Sequence, residues 1–223
     1  MSSVKRPQVT SDAIMTSELA NASEVNRNQY WGVLVANFIN LFPYYNTFVA
    51  MTSVEFVSKG LPWMGIRWEE SSIRLIINVG GMVKLPVETQ YTILKHEFAH
   101  FFLKHLGSRG KKLKGMIELR CPGKSVYKIH QFANILEDME INTILGKKNL
   151  PATACFPSDH GLPDGLLAEE YLSFLSKDEV DHIMEDKVLK IDLKTNQCDG
   201  SCGQDGEGGE EKPGEGSCGD GEN

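Results

Sequence analysis

Six consecutive residues, Lys95-His96-Glu97-Phe98-Ala99-His100, hold the densest chemistry in this 223-residue chain. They contain His-Glu-x-x-His, a spacing that puts both imidazoles on one face of a helix. Two neutral ring nitrogens so placed can share one zinc ion, which takes such donors at about 2.0–2.1 Å. Glu97 follows the first histidine directly and leans toward the same face, where a carboxylate can take a proton from a water activated by a metal. The stretch points to metal-assisted hydrolysis, with His96 and His100 as ligands and Glu97 as general base.

A helix has to carry these groups. Val87, Tyr91, Leu94, Phe98, Phe101 and Phe102 recur at three- and four-residue steps, an amphipathic pattern. Pro86 suits a first helical turn, while Gly107 and Gly110 are stop signals. The spacing therefore predicts helix over roughly 86–107. On a helix of that length His105 lies about 140° round from His100, so it reads as supporting or structural and not as a ligand.

A catalytic zinc needs three protein ligands and an open position. A second helix is predicted from Ser125 as N-cap to Gly146, with Phe132, Ile135, Leu136 and Met139 as its apolar stripe. Glu137 and Asp138 stand beside that stripe. A carboxylate there is costly unless something pairs with it, and an ion held by two histidines is such a partner. The third ligand is expected to be Asp138 or Glu137, with the other orienting a ligand histidine. His130 is a fallback ligand, and Tyr171 reads as core packing ahead of a role in stabilising an oxyanion.

The remaining elements frame these two helices. A helix is predicted from about Ser17 to Phe42, and strands over 46–58, 64–68 and 72–79. Residues 108–124 carry a net charge of +5 and read as a solvated linker or a basic rim on the cleft. A loop follows over 147–163, then helices from Asp164 to about Leu175 and from Asp178 to about Leu189. The expected class is α+β, mostly helical, with a small sheet beside the motif helix; an exposed strand edge there suits an extended peptide.

Composition bounds the rest. The hydrophobic share of 41% is that of an ordinary globular chain, and no run of about 18 apolar residues suggests a membrane span. The first residues lack the apolar block of a secretory signal. Five cysteines without such a signal favour a reducing, cytoplasmic setting. Residues 199–223 hold eight acids and one base and so carry the whole net charge of −7. The formally neutral body gives no argument for a nucleic-acid partner. The expected layout is a flexible 1–16, a domain over 17–193, and a disordered acidic Gly/Cys-rich tail over 194–223. Cys198, Cys202 and Cys218 lack a fourth ligand for a second zinc, and Cys121 and Cys155 read as ordinary thiols.

Taken together, these residues resemble a family. His96-Glu97-Phe98-Ala99-His100 with His105 and Arg109 fits HExxH followed by a further histidine and an arginine. Asn134, Asp138, Ile141 and Asn142 fit its asparagine–x–x–x–aspartate–x–x–isoleucine–asparagine helix, and Leu162-Pro163-Asp164-Gly165-Leu166 with Glu169-Glu170-Tyr171 fits its next segment. The chain thus resembles the metallopeptidases of bacteria and phages in which a von Willebrand A-like domain often follows the peptidase part. Here the Gly/Cys-rich tail resembles the linker that precedes that domain, and no such domain is expected within these 223 residues. The resemblance implies a zincin-like domain with one zinc on His96 and His100, Glu97 as catalytic acid/base, and Asp138 preferred as third ligand with Glu137 left open. It implies a protein or peptide substrate. Two other classes stand beside it: a catalytically silent, zinc-stabilised protein that grips a host or phage partner, and a structural domain without metal.

Overall fold

Tyr30, Leu34 and Phe38 lie four residues apart and are all buried, so one face of helix α1 (Glu24–Leu41) is committed to the interior. That face meets Tyr45 and Tyr91 through a cluster of tilted ring contacts. Tyr30 donates to Gln90 Oε1 at 2.7 Å, and Gln90 Nε2 donates to the Leu85 carbonyl at 2.8 Å, so the fully buried amide is satisfied. The computed structural model describes residues 24–69 and 72–192, with backbone alone at 24–25 and 186–192. The predicted start of α1 near Ser17, the flexible first residues, and the acidic tail with its three cysteines lie outside the described residues.

A short 3-10 turn (Pro43–Tyr45) leads into α2 (Asn46–Ala50). The strand expected over 46–58 is therefore corrected. Its first part is helical, where Phe48 packs on Phe101 and Phe102, and only β1 (Thr52–Phe56) is extended. β2 (Met64–Glu69) and β3 (Ser72–Ile77) follow. The sheet order is β1-β3-β2, with β1 parallel and β2 antiparallel to the central β3. β3 is the apolar strand, with Ile73, Leu75, Ile76 and Ile77 buried. After β3 a single helical turn α3 (Val79–Met82) forms, capped by Asn78 Oδ1 accepting from Gly81 N–H at 3.1 Å.

The motif helix α4 (Val87–Phe102) ends about a turn before the stop predicted near 107. Lys104 adopts φ 62°, the His105 N–H donates to the His100 carbonyl at 2.9 Å, and the Lys104 N–H donates to the Phe101 carbonyl at 3.0 Å. This pair of bonds around a left-handed residue is a Schellman cap, here built on lysine instead of glycine.

Residues 108–124 do not form a linker. The expected linker is a helix, α5 (Ser108–Arg120). Leu113 and Ile117 are buried on one of its faces, while Lys111 and Lys112 stay exposed. Helix α6 (Val126–Leu145) has the predicted ends: Ser125 Oγ accepts from Lys128 N–H at 3.3 Å, and Gly146 takes φ 76°. α7 (Ala168–Phe174) begins four residues after the start expected at Asp164, and α8 (Lys177–Asp192) closes the described chain.

Two apolar clusters result. One joins α1, the sheet and α4; the other joins α5, α6, α7 and α8. The fold is α+β, mostly helical with a small mixed sheet. Among the described residues, no helix is long and apolar enough to cross a membrane.

Candidate metal centre

α4 belongs to the first cluster and α6 to the second, and they touch each other. Leu94 and Phe98 anchor α4, while Phe132, Leu136 and Met139 anchor α6, all fully buried. With those stripes turned inward, the polar faces carrying His96, His100 and Asp138 meet at the seam.

Three donor atoms converge there. His96 Nε2 and His100 Nε2 are 3.2 Å apart, and each lies 3.2 Å from Asp138 Oδ1. A tetrahedral ion with bonds of about 2.0–2.1 Å has ligand–ligand edges of about 3.3–3.4 Å, so the triangle matches one face of such a polyhedron. A set of two imidazoles and one carboxylate also suits zinc chemically. The side chains of His96 and His100 are 14% and 7% exposed and that of Asp138 is 26% exposed, so the centre opens toward solvent on the Asp138 side.

The asparagines of α6 support the triangle. Asn134, Asp138 and Asn142 fall at four-residue steps on one face. Asn134 Nδ2 donates to Asp138 Oδ2 at 3.3 Å, on the oxygen turned away from the histidines. Asn142 Nδ2 donates to the Cys155 carbonyl at 2.8 Å, which orients its amide and presents Oδ1 to His96 Nδ1 at 3.0 Å. An acceptor there requires the proton on Nδ1 and leaves the Nε2 lone pair for an ion.

Charge in the seam follows from burial and from Asp138. Burial opposes the charged form of His96, but the hydrogen bond and charge of Asp138 outweigh it and raise the ring to about 9. Burial, joined by the positive neighbour His96, lowers His100 to about 4. Burial also opposes ionisation of Asp138, yet its bonds to His100 and His96 hold that carboxyl well below the usual range. Glu97 is 8% exposed, and burial pushes its carboxyl up to about 8.

Glu137 sits elsewhere. It is buried, its Oε1 lacks a hydrogen-bond partner, and it groups with His100 and His105, not with His96. Burial pushes its carboxyl up to about 8. Of the two acids expected to supply the third ligand, the structure brings Asp138 to both imidazoles and turns Glu137 toward α5. His130 belongs to neither cluster that could hold an ion. Tyr171 is fully buried, and its hydroxyl accepts from Leu166 N–H at 3.3 Å, so it is a core residue. Cys121 and Cys155 form no disulfide among the described residues, and Cys155 Sγ lies 3.7 Å from His160 Nε2.

His105 departs from the sequence geometry. The 140° offset assumed a continuous helix, whereas the chain leaves the helix at Lys104 and folds His105 back onto His100, Nδ1 to Nδ1 at 3.2 Å. Behind it, Arg109 donates to Glu140 through Nη1 (2.9 Å) and Nη2 (2.7 Å) and to Glu169 through Nε at 2.9 Å. In sequence, Asn134, Asn142 and Glu169 stand only as motif residues without a role, and Glu140 is not singled out. The four-residue spacing of Asn134, Asp138 and Asn142 was the available signal for the first two.

Compared with protein-family models, with curated proteins and with solved structures, the chain has no match. The family resemblance therefore rests on the quoted motif residues alone.

Proposed function

We propose that the chain is a zinc-dependent metallopeptidase with a zincin-like fold, in which His96, His100 and Asp138 hold one ion and Glu97 is the general base. The observation that carries this reading is the 3.2 Å triangle of donor atoms on two separate helices, next in sequence to a buried glutamate. Bound there, zinc supplies a Lewis acid that polarises a scissile carbonyl and lowers the pKa of a water. Glu97 accepts a proton from the attacking water as its oxygen bonds to the carbonyl carbon. It then returns that proton to the amine as the C–N bond breaks. Asn142 and Asn134 hold His96 and Asp138 in place during the cycle. The substrate class is a protein or peptide, and the setting is the cytoplasm of a bacterium or an infected host cell.

The test incubates the full chain, loaded with zinc, with a proteome-derived peptide mixture and reads new termini by mass spectrometry. Cleavage is expected to stop with a chelator and return with zinc. Glu97→Gln is expected to keep the metal while losing about 10²–10⁴-fold in rate, and His100→Ala to lose metal and cleavage together. A parent that binds one ion and cuts nothing favours the silent binding protein. Undiminished cleavage by Glu97→Gln removes Glu97 from the mechanism.

A further inference from the structure

His100 turns Nε2 toward Asp138 and therefore turns Nδ1 toward the protein interior, where His105 Nδ1 lies 3.2 Å away. His105 is 4% exposed, and its other nitrogen, Nε2, faces Glu140 Oε2 at 3.4 Å. Glu140 is 3% exposed and is otherwise ringed by donors: Arg109 Nη1 and Nη2, and the Ala168 N–H at 2.9 Å. An arginine keeps its protons in proteins, so Glu140 is the acceptor in each of these contacts. The His105 nitrogen that faces Glu140 Oε2, at 3.4 Å, is then placed to donate to it. Arg109 Nη1 also comes within hydrogen-bond distance of His105 Nε2, at 3.3 Å, but its two protons are directed at Glu140 Oε1, 2.9 Å away, and at the Leu103 carbonyl, 3.3 Å away, which leaves His105 Nε2 to donate to Glu140.

We propose that His105, held by Glu140, is a positioning residue that fixes the tautomer and ring orientation of His100. The inference rests on the metal centre proposed above. With the His105 proton committed to Glu140 at Nε2, its Nδ1 offers a lone pair to His100. His100 Nδ1–H donates into that lone pair, and His100 Nε2 is left deprotonated toward the ion. The Schellman cap at Lys104 makes this contact possible, because it sets the third residue from the helix end against the second residue beyond the cap. Each ligand histidine thus has its own tautomer lock, Asn142 for His96 and His105 for His100.

The same contact decides against a competing use of these residues. Atoms of His100, His105 and Glu137 lie within 4.8 Å of one another and could be taken for a second cation site. In the relay, however, the His100 Nδ1 lone pair is protonated and the His105 Nδ1 lone pair is occupied. The positive charges of Lys114 and Arg109 also act on Glu137. One ion among the described residues follows.

The test titrates the metal-stripped full chain with Co²⁺, reading affinity, stoichiometry and the visible ligand-field spectrum. The proteins compared are the parent, His105→Leu, His105→Asn, His105→Gln and His100→Ala. A glutamine can accept from His100 through its oxygen and donate to Glu140 through its nitrogen, whereas asparagine is too short to span both and leucine does neither. The leucine and asparagine variants are expected to weaken Co²⁺ binding by about 10–100-fold and to alter the spectrum, while glutamine restores the parent affinity and spectrum. All binding variants take up one ion. Glutamine is the decisive arm, because a purely packing role for His105 gives it no advantage over asparagine. Should the leucine variant lose its helical circular dichroism, the glutamine–asparagine pair alone decides. Parent affinity in the asparagine variant, or a glutamine variant as weak as asparagine, overturns the proposal. If His100→Ala binds Co²⁺ as the parent does, the metal centre itself is wrong. If His100→Ala loses the ion and the His105 variants do not, only the relay is wrong.

Discussion

Asn142 Oδ1 lies 3.0 Å from His96 Nδ1, and the same amide is pinned through Nδ2 to the Cys155 carbonyl. The second bond removes the ambiguity of an amide that could otherwise face either way, so Asn142 can only accept from His96. Replacing it by leucine keeps much of the volume and removes the acceptor. Asn142→Leu is expected to reduce zinc affinity by about 10–100-fold without loss of helical circular dichroism. Isothermal titration of metal-stripped protein measures this, and unchanged affinity contradicts the role given to Asn142.

Adjacent acids on α6 should behave as opposites. Asp138 Oδ1 is 3.2 Å from both ring nitrogens, whereas Glu137 is turned toward α5 with a buried oxygen that lacks a hydrogen-bond partner. Asp138→Asn is expected to cost metal affinity by more than the 10–100-fold typical of a supporting residue. Glu137→Gln is expected to bind zinc as the parent does. The reversed pattern, read in the same titration, would make Glu137 the ligand.

The parts of this arrangement that were legible in sequence are those with a local chemical signature. The motif helix showed itself through the apolar steps from Val87 to Phe98, and α6 through Ser125 and Gly146, each of which satisfies or ends a helix by its own side-chain chemistry or φ. α5 was not legible, because five basic residues and two glycines obscured the short stripe of Leu113 and Ile117. The end of α4 was hidden for another reason: its left-handed residue is Lys104, and lysine carries none of glycine's signal for that conformation. Missing that reversal sent His105 to the wrong side of an imagined longer helix. The strand reading at 46–58 failed at its start, since Thr- and Val-rich sequence favours extension only until a tertiary contact such as Phe48 on Phe102 overrides it. The choice between Glu137 and Asp138 depends on the rotation of α6 about its own axis, which the packing of α5 and α7 sets and which sequence spacing leaves open.

Gly110 offers a probe of how tightly α5 is set against that centre. A Cβ at this position would lie 1.8 Å from the His105 carbonyl oxygen and 3.1 Å from Glu137 Oε1. The first contact is with backbone and cannot be relieved by a rotamer change. Gly110→Ala is therefore expected to destabilise the protein by about 1–3 kcal/mol or more and, by displacing His105, to weaken metal binding as well. Gly115, whose Cβ would meet nothing within 4 Å, is the control: Gly115→Ala should keep the parent's affinity and match or exceed its stability. Urea unfolding of both variants measures the contrast, and equal midpoints would mean that α5 can shift away from His105 at no cost.

Arg109 ties three helices together by bonding Glu140 on α6 and Glu169 on α7 from its place on α5, and this gives stability a defined pH dependence. Burial opposes the charge on Glu169, but the hydrogen bonds and charge of Arg109 prevail and hold its carboxyl below the usual range. A carboxyl depressed in the folded state stabilises above its unfolded pKa of about 4.3, and that contribution is lost as pH falls through the lower folded value. Glu169→Gln removes the charge at every pH. It is expected to cost about 1–2 kcal/mol at pH 7, since the pair is charge-assisted but partly solvated. The gap between variant and parent should then narrow steadily below about pH 4, where the parent carboxylate is itself being protonated. Urea unfolding at pH 7, 5 and 3 follows that gap. A difference that stays constant down to pH 3 would show that Glu169 contributes through packing and not through its charge on Arg109.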